Sequence, residues 1–395
     1  MGVLNGLKIL DFSTLFPGPY ATMVLADMGA EVLRVSSKSK LDIVLEAPPR
    51  IPGTQINAGA ATITRNKRSI SLNLKRPEAV EIVHRLVREY DIVVDQFRPG
   101  VMDRMGIGYG ALREVNPRLI YCALTGYGQT GPLRDVPGHD INYLARSGIS
   151  SYSGRKHSGP MLTGVQVADL AAGSMNVIIG ILGAVIYRAR TGKGQMVDIS
   201  MLDGSVALTF GKGAAFLVDG ALPGPESERT NGAGIYDYYE TKDGKYLSVG
   251  CLESKFFSEF CRRIDLPELI PGGSSPQNVG EAKKMVARRL KSKTRDEWME
   301  IFSGANVCVE PVLDFQEVYY EDEQVRARKM IIEVEVPGSD GVRVKQVASP
   351  IRFSEAPNEY RHAGCPTGWH TRQVLEELGL QAGDIERLAR TGALD

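Results

Sequence analysis

Short apolar runs alternate with segments of helical periodicity along the first third of the chain. The runs that predict β-strands are residues 7–12, 30–35, 69–74, 92–97 and 119–125. Between them, residues 20–28 and 77–90 carry apolar residues at helical spacing and predict helices. Strands that are separated by helices favour a parallel sheet covered on both faces. The fold class predicted for this half is α/β, with a doubly wound, Rossmann-like large domain.

The pattern changes after the fifth strand. Prolines and glycines between residues 40 and 67 predict a loop. Residues 169–187 are nearly all apolar and predict a long helix buried on most sides, and residues 195–200 predict a further strand. This second strand–helix block belongs to the same predicted domain.

A smaller α+β domain follows a segment rich in Pro, Gly, Glu and Asn at 221–233. Asp243-Gly244 lies between two apolar runs and predicts a β-hairpin. We therefore predict a large domain at 1–220, completed by residues 330–395, and a small domain at 221–329. The other elements predicted in the small domain are helices at 254–264, 279–291 and 295–302. Residues 330–395 are predicted to form a second hairpin at 331–336 and 342–347 and helices at 371–378 and 382–390.

Composition narrows the class of protein. The 395 residues contain 47 Lys+Arg and 47 Asp+Glu, so the net charge is zero, which argues against a nucleic-acid or membrane-surface partner. The five cysteines form no zinc-binding pattern and suit reduced thiols, and residues 1–5 lack the features of a secretory signal. The longest apolar run is too short to span a bilayer. We expect a cytoplasmic, enzyme-sized protein.

Gly126-Tyr127-Gly128-Gln129-Thr130-Gly131 matches the GxGxxG pattern of dinucleotide-binding folds. That pattern needs a helix to begin at the glycines, and Pro132 and Pro137 prevent one here. The favoured interpretation is a glycine loop that lets another group approach the backbone.

His139 is the first candidate catalytic residue. It follows Pro-Gly and precedes a helix-like stretch, so it lies at a helix N-terminus, where free N–H groups disfavour imidazolium and a neutral imidazole can act as a base. A histidine that only caps the helix is the alternative.

Two acidic residues and a set of cations are further candidates. Asp169 begins the long apolar helix, either as its N-cap or as a partly desolvated carboxylate. Glu253 follows the hairpin and precedes an aromatic-rich helix. The cations lie at strand ends, where α/β sheets bind ligands, and either hold phosphates or are solvated: Arg34, Lys38, Lys67, Arg68, Lys75 and Arg98.

Together these segments resemble the family III CoA-transferase superfamily (the CaiB–BaiF group), and within it α-methylacyl-CoA racemases most. The likeness covers nearly the whole chain. The stretches that carry it, in the same order as in that family, are 6–11 (GLKILD), 17–20 (PGPY), 25–32 (LADMGAEV), 66–75 (NKRSISLNLK), 97–100 (FRPG), 116–121 (NPRLIY), 138–143 (GHDINY) and 191–195 (TGKGQ).

Two chemistries compete within the superfamily. By the resemblance, transferases use the aspartate that matches Asp169 as a nucleophile that carries acyl and CoA groups. They also show a glycine-rich run in the small domain, where this chain has only Asn231-Gly232-Ala233-Gly234. Racemases instead resemble this chain at 138–143 and at Glu253, which makes His139 and Asp169 two bases and gives Glu253 the role of orienting His139 or sharing its proton. We favour the racemase.

The resemblance also implies how the substrate is held. CoA enters as part of an acyl-CoA substrate, and no metal or redox cofactor is required. Backbone N–H groups at the His139–Asp140 helix start are our candidate donors to an enolate oxygen. Ser37 stands where racemases often have a basic residue, so Lys38 is a candidate replacement. The predicted CoA contacts are Arg34, Lys38, Leu72, Asn73, Leu74, Lys75, Arg98, Gly138, Asp140 and Tyr143. The family further implies an interlocked homodimer, with each active site between the large domain of one subunit and the small domain of its partner.

Overall fold

The computed structural model of the chain describes residues 1–37 and 42–394, so Lys38 lies outside the described residues. Within that part, six strands form one sheet in the order β3-β2-β1-β4-β5-β6, and every neighbouring pair is parallel. This is the doubly wound order, which confirms the predicted fold class. The strands are β1 (Lys8–Asp11), β2 (Glu31–Ser36), β3 (Lys67–Ser71), β4 (Ile92–Asp95), β5 (Ile120–Thr125) and β6 (Gln195–Ser200).

The sheet is buried among helices, as its apolar strands require. Leu10 pairs with Leu33 on one side and with Val93 on the other, and all three side chains are fully buried. The helices of the chain's first half are α1 (Pro17–Asp27), α2 (Ile43–Glu46), α3 (Ala58–Ile63), α4 (Pro77–Leu86), α5 (Val101–Arg104), α6 (Tyr109–Val115), α7 (Asp140–Arg146), α8 (Ile149–Tyr152), α9 (Met175–Thr191, preceded by a π-helical segment Ala168–Ser174), α10 (Met201–Leu208) and α11 (Phe210–Asp219).

The chain divides into two compact units. The first comprises Met1–Leu144, Gly164–Leu208 and Ala327–Asp395, and the second comprises Ala145–Thr163 and Thr209–Arg326. The predicted division differs from these units at three places: residues 145–163 and 209–220 cluster with the second unit, and residues 327–329 cluster with the first.

The second unit contains an antiparallel sheet and a core of aromatic side chains. Its strands are β7 (Asp237–Glu240), β8 (Tyr246–Val249) and β9 (Val309–Pro311), paired in that order. Gly244 has φ +74°, as the predicted hairpin turn demands. Trp298, Phe257 and Phe260 are almost fully buried between the helices of this unit. Those helices are α12 (Ser254–Arg263), a 3₁₀ turn (Pro267–Gly272), α13 (Val279–Leu290), α14 (Arg295–Phe302), a π-helical turn (Glu317–Glu321) and α15 (Glu323–Ala327).

The C-terminal segment from Ala327 onward belongs to the first unit. It forms the antiparallel pair β10 (Ile331–Glu335) and β11 (Arg343–Val347), then α16 (Thr371–Glu377) and α17 (Ala382–Arg390). The prediction of a plain loop at 40–67 is wrong, because α2 and α3 lie there. α3 packs Ala60 and Ala61 against Val334 of the β10–β11 pair, a tertiary contact that composition does not reveal.

The predicted apolar helix exists, but the prediction that it is buried on most sides is wrong. The segment Ala168–Thr191 contacts α1, β5 and β6, while Ile179 and Ile186 are 66% and 54% exposed. By length and composition alone this segment could cross a membrane, a test that core helices of soluble proteins also pass.

Candidate active site

A cleft of about 520 Å³ opens at the carboxyl ends of β1, β4 and β5. In this strand order the winding direction reverses between β1 and β4, which is where open α/β sheets bind ligands. Thr14 lines the cleft after β1, Gln96 and Arg98 after β4, and Gly126 after β5. His139 and Asp169 line the same cleft, so the fold brings the two predicted bases together.

His139 immediately precedes α7, as the sequence predicts. Its backbone carbonyl accepts the N–H of Asn142 at 2.8 Å, and its own N–H donates to the side-chain oxygen of Asn142 at 3.0 Å. The backbone of His139 therefore takes part in capping the helix, while the exposed residue also lines the cleft. The two alternatives, cap and base, do not exclude each other.

Asp169 is not the N-cap that its position suggested. It is the second residue of the π-helical segment, whose N-cap is Val167. The Asp169 N–H donates to Oδ1 of Asp140 at 3.0 Å, so a carboxylate on α7 holds the start of this segment. Asp140, which the resemblance assigned to CoA, therefore lies between the elements that carry the two bases.

The electrostatics of Asp169 suit proton transfer. Burial and, to a smaller extent, the negative charge of Asp140 raise the pKa of this carboxyl, and His139 opposes them, so that the pKa is about 6. At neutral pH both protonation states are within reach, which a group that gives and takes protons needs.

The glycine loop at 126–131 accommodates a side chain of the protein itself. The Tyr143 hydroxyl donates to the carbonyl of Gly138 at 2.6 Å, and its ring packs edge-on against Tyr127 at 5.3 Å. A Cβ on Gly126 would lie 2.5 Å from that hydroxyl, and one on Gly138 would lie 2.7 Å from the ring. The group that approaches the backbone is thus Tyr143. No helix begins at these glycines, as the prolines predicted.

A second cavity of about 490 Å³ lies at the ends of β1, β2 and β3. It shares Thr14, Leu15 and Phe97 with the cleft that His139 and Asp169 line, so the two form one continuous surface. Five of the predicted CoA contacts line it: Arg34, Leu72, Asn73, Leu74 and Lys75. Arg98, Gly138 and Tyr143 line the cleft instead.

The strand-end cations differ in accessibility. Lys75 and Arg98 are exposed, whereas Arg34 is 4% exposed and lies 3.9 Å from Asp42. Lys67 is buried and donates to Asp11 at 3.1 Å and to Thr22 at 2.6 Å, so it holds the fold rather than a ligand. The sequence does not reveal that Lys67 is buried while other strand-end cations are exposed, because Lys67 stands directly before Arg68 in the same strand.

Sequence reasoning missed three residues around the cleft. Arg134 adds a cation to its wall, and the side-chain oxygen of Gln96 accepts the Gly18 N–H at 2.9 Å. Asp42 accepts the Leu15 N–H at 3.1 Å and so fixes the loop after β1. These contacts join segments far apart in the chain, so the sequence alone does not indicate them. The one sequence signal is for Gln96, which directly precedes the Phe-Arg-Pro-Gly stretch at 97–100.

Glu253 belongs to the second compact unit. It is exposed, lies directly after the β7–β8 hairpin and is the N-cap residue of α12. Its local setting is the one that the sequence predicted, and its role stays a prediction.

An open parallel sheet with an imidazole and a half-buried carboxylate at its switch point defines an α/β enzyme of the doubly wound class. The chain belongs to CoA-transferase family III, whose family model matches residues 4–371. The resemblance identified from the sequence is thus confirmed.

Individual relatives carry two different activities. Alpha-methylacyl-CoA racemase from Homo sapiens is 34% identical over 387 residues, which cover 98% of this chain and 96% of the relative. Succinyl-CoA:glutarate CoA-transferase from Homo sapiens is 32% identical and covers 99% of this chain and 90% of the relative. Among solved structures, a CAIB/BAIF family protein from Brucella suis superposes with a TM-score of 0.83 at 28% identity, over 95% of this chain and 99% of that one.

Proposed function

We propose that the protein racemises 2-methylacyl-CoA thioesters by exchanging the α-proton between two bases. The observation that carries this proposal is that His139 and Asp169 line one cleft, with the Asp169 pKa raised to about 6 by burial. Inversion at a carbon requires a base on each face, because one side chain cannot reach both. A protein that only binds acyl-CoA, without reaction, would need neither base.

The reaction has two proton transfers. One base removes the α-proton, and the electron pair of the C–H bond moves into the thioester to form an enolate. The other group, which starts protonated, then delivers its proton to the opposite face. The two bases finish with exchanged protonation states, so each group must be able both to take up and to give a proton.

The enolate oxygen needs a hydrogen-bond donor, and the structure corrects part of the expectation. The His139 N–H is already donated to Asn142 at 3.0 Å. We therefore restrict the proposed donor to the Asp140 N–H, which has no partner within the described residues. One such donor is typically worth about 3 kcal/mol of transition-state stabilisation.

Incubation with (2R)-2-methylacyl-CoA in deuterium oxide tests the proposal. We expect racemisation, measured by chiral chromatography, together with incorporation of α-deuterium, measured by mass spectrometry. His139→Ala and Asp169→Ala should each lower the rate by about 10²–10⁴-fold, the usual contribution of a general acid or base. Retention of the full exchange rate in both variants would refute the two-base mechanism.

A CoA-transferase is the second candidate, because transferases match the chain about as closely as racemases do. In that reaction the Asp169 carboxylate attacks the thioester carbonyl, which forms a mixed anhydride and releases CoA thiolate. The thiolate then attacks the aspartyl carbonyl of the anhydride, which leaves an Asp169–CoA thioester and releases the first carboxylate. The acceptor carboxylate takes up CoA by the same two steps in reverse. It predicts CoA transfer to a free carboxylic acid and a hydroxylamine-sensitive enzyme intermediate that needs Asp169 but not His139. An acyl-CoA-binding regulatory protein would bind the ester tightly with neither exchange nor transfer.

We further propose a cytoplasmic homodimer in which Glu253 reaches the His139 of the other subunit. Large apolar side chains on the surface of the single chain support association. They lie on α9 and α11, where Ile179 is 66%, Leu217 83% and Val218 90% exposed. Such side chains mark protein–protein contact surfaces when they cluster.

A further inference from the structure

We propose that the acyl chain of the substrate binds in an apolar cavity that begins beside Asp169, and that this cavity selects long apolar acyl groups over short or dicarboxylic ones. The inference rests on the proposed use of an acyl-CoA ester and adds the substrate class. We call this site the acyl cavity. It has a volume of about 610 Å³, within the usual range of ligand pockets.

The acyl cavity lies within the first compact unit. Apolar groups from α1, α2, α3 and the π-helical segment form most of its wall. They include Phe16, Met23, Val24, Ile43, Ile63 and Leu170. Burial of each methylene here contributes about 0.8 kcal/mol relative to water.

Two pairs of consecutive residues connect the acyl cavity with the reaction centre. Asp169 lines the catalytic cleft, whereas the next residue, Leu170, lines the acyl cavity. Likewise, Pro17 lines the cleft and Phe16 lines the acyl cavity. The Ser174 hydroxyl donates to the Pro17 carbonyl at 2.6 Å and ties the two segments together. The acyl cavity therefore begins one residue from the proposed base.

The loop after β1 has a backbone conformation that produces this division. Leu15 has φ +61°, the left-handed region that costs a branched residue energy, and its N–H donates to Oδ2 of Asp42 at 3.1 Å. Oδ1 of the same carboxylate accepts the N–H of Val44, which lines the acyl cavity. Leu15 faces the CoA side, while Phe16 faces the acyl cavity.

The direction of the acyl chain follows from the second cavity of about 490 Å³, which five of the predicted CoA contacts line and which we call the CoA cavity. The CoA cavity joins the cleft of His139 and Asp169 at Thr14, Leu15 and Phe97. A thioester that enters from there, with its α-carbon between His139 and Asp169, has its tail beyond Asp169. The cleft itself carries Arg98 and Arg134, whereas the acyl cavity is apolar.

The charged groups of the acyl cavity are already paired. Arg65 and Asp27 are both fully buried, and Nη2 of Arg65 donates to Oδ2 of Asp27 at 2.6 Å. Nη1 of Arg65 donates to Gln346 and to the Val347 carbonyl. A guanidinium with all these partners has little capacity for a substrate carboxylate, and a new unpaired charge buried here is costly. Dicarboxylic acyl groups are therefore disfavoured.

Equilibrium binding tests the inference separately from catalysis. Isothermal titration calorimetry of the full chain should give a Kd at least 10-fold lower for octanoyl-CoA than for acetyl-CoA or glutaryl-CoA. Ala58→Trp and Thr62→Phe, both on α3 and lining the acyl cavity, should each reduce that ratio at least fivefold. Ala389→Trp places the same bulk on exposed α17 and should leave the ratio at the wild-type value.

Several outcomes would overturn the inference. Equal Kd values for octanoyl-CoA and glutaryl-CoA on the wild-type chain would do so without any variant. An unchanged ratio of Kd values in Ala58→Trp or Thr62→Phe, with circular dichroism showing that the variant is folded, would overturn it as well. If sedimentation velocity showed that Ala58→Trp dissociates an oligomer while the ratio is unchanged, a second copy of the chain would be the occupant. Since binding is measured without turnover, absence of α-proton exchange would refute only the proposed function.

Discussion

A carboxyl group beside a second carboxylate and partly removed from water holds its proton more tightly than one in solution. Asp169 meets both conditions, because it is half-buried and its N–H is anchored to Asp140. Burial is the larger cause of the raised pKa, and the charge of Asp140 adds to it. The contact that fixes the position of Asp169 thus also contributes to its proton affinity.

This coupling predicts a pH dependence. With the pKa of Asp169 raised to about 6, kcat/KM for the enantiomer whose α-proton Asp169 removes should fall about tenfold per unit below that pH, because the ionised form is the base. Asp140→Asn removes the neighbouring charge but keeps an oxygen for the Asp169 N–H, so the acid limb should move to lower pH. Exchange rates measured between pH 4.5 and 8 give the position of the acid limb for the wild type and for Asp140→Asn. An acid limb that stays in place in Asp140→Asn would contradict this role of Asp140.

Single residues were predictable from the sequence where a chemical type coincides with a local signal. His139 after Pro-Gly and Asp169 at the start of an apolar helix are such cases, and the cleft brings them together. Asp42 and Arg134 were not predictable, because their relation to the cleft depends on how distant segments pack. The burial of Lys67 against Asp11 was unpredictable for the same reason, because these residues come from distant segments of the chain.

At the scale of elements, the loop after β5 is shaped by one aromatic side chain. Tyr143 on α7 fits between Gly126 and Gly138 and thereby fixes the start of α7, where His139 lies. Gly126, the first glycine of the GxGxxG match, is therefore needed for the space beside its Cα atom, which the Tyr143 side chain occupies. Gly128 and Gly131 have positive φ of +84° and +88°, a backbone conformation that favours glycine.

Gly126→Ala tests this interpretation. The new Cβ would lie 2.5–2.8 Å from three atoms of Tyr143, so the ring must move. We expect a loss of about 1–3 kcal/mol in the free energy of unfolding, the usual cost of overpacking, with reduced activity. Gly110→Ala is the matched control, because nothing lies within 4 Å of its Cβ position on α6, and it should stabilise by up to about 1 kcal/mol. Urea unfolding curves that coincide for the two variants would contradict the packing role.

Regular elements were predictable because their periodicity is local, and β6, α14 and α17 begin and end where expected. α2 and α3 were not, since short helices flanked by prolines gain their stability from tertiary contacts. The π-helical start of the apolar helix also leaves no mark in the pattern of apolar residues. Asp169, one of the two proposed bases, lies in this π-helical part of the helix, which the pattern did not predict.

At the scale of the whole molecule, the apolar helices have more apolar surface than the single chain buries. The sequence pattern predicts how apolar a helix is, but it cannot distinguish burial within a chain from burial between chains. The expected burial of α9 is wrong for the single chain, where Ile179 and Ile186 are exposed, and the proposed dimer would account for it. Obligate homodimers bury surfaces of this composition.

Sedimentation velocity tests the proposed dimer. We expect the wild-type chain to sediment at twice the mass of one chain. Leu217→Glu and Val218→Glu, at positions 83% and 90% exposed in the single chain, should shift the protein to monomer, because each places a charge in the proposed apolar interface. Gln373→Glu adds the same charge on exposed α16 and should remain dimeric. Because Glu253 is proposed to act on the other subunit, dissociation should also lower α-proton exchange, and dilution of the wild type should reproduce that loss. A wild-type monomer with full exchange activity would show that one chain completes the site by itself.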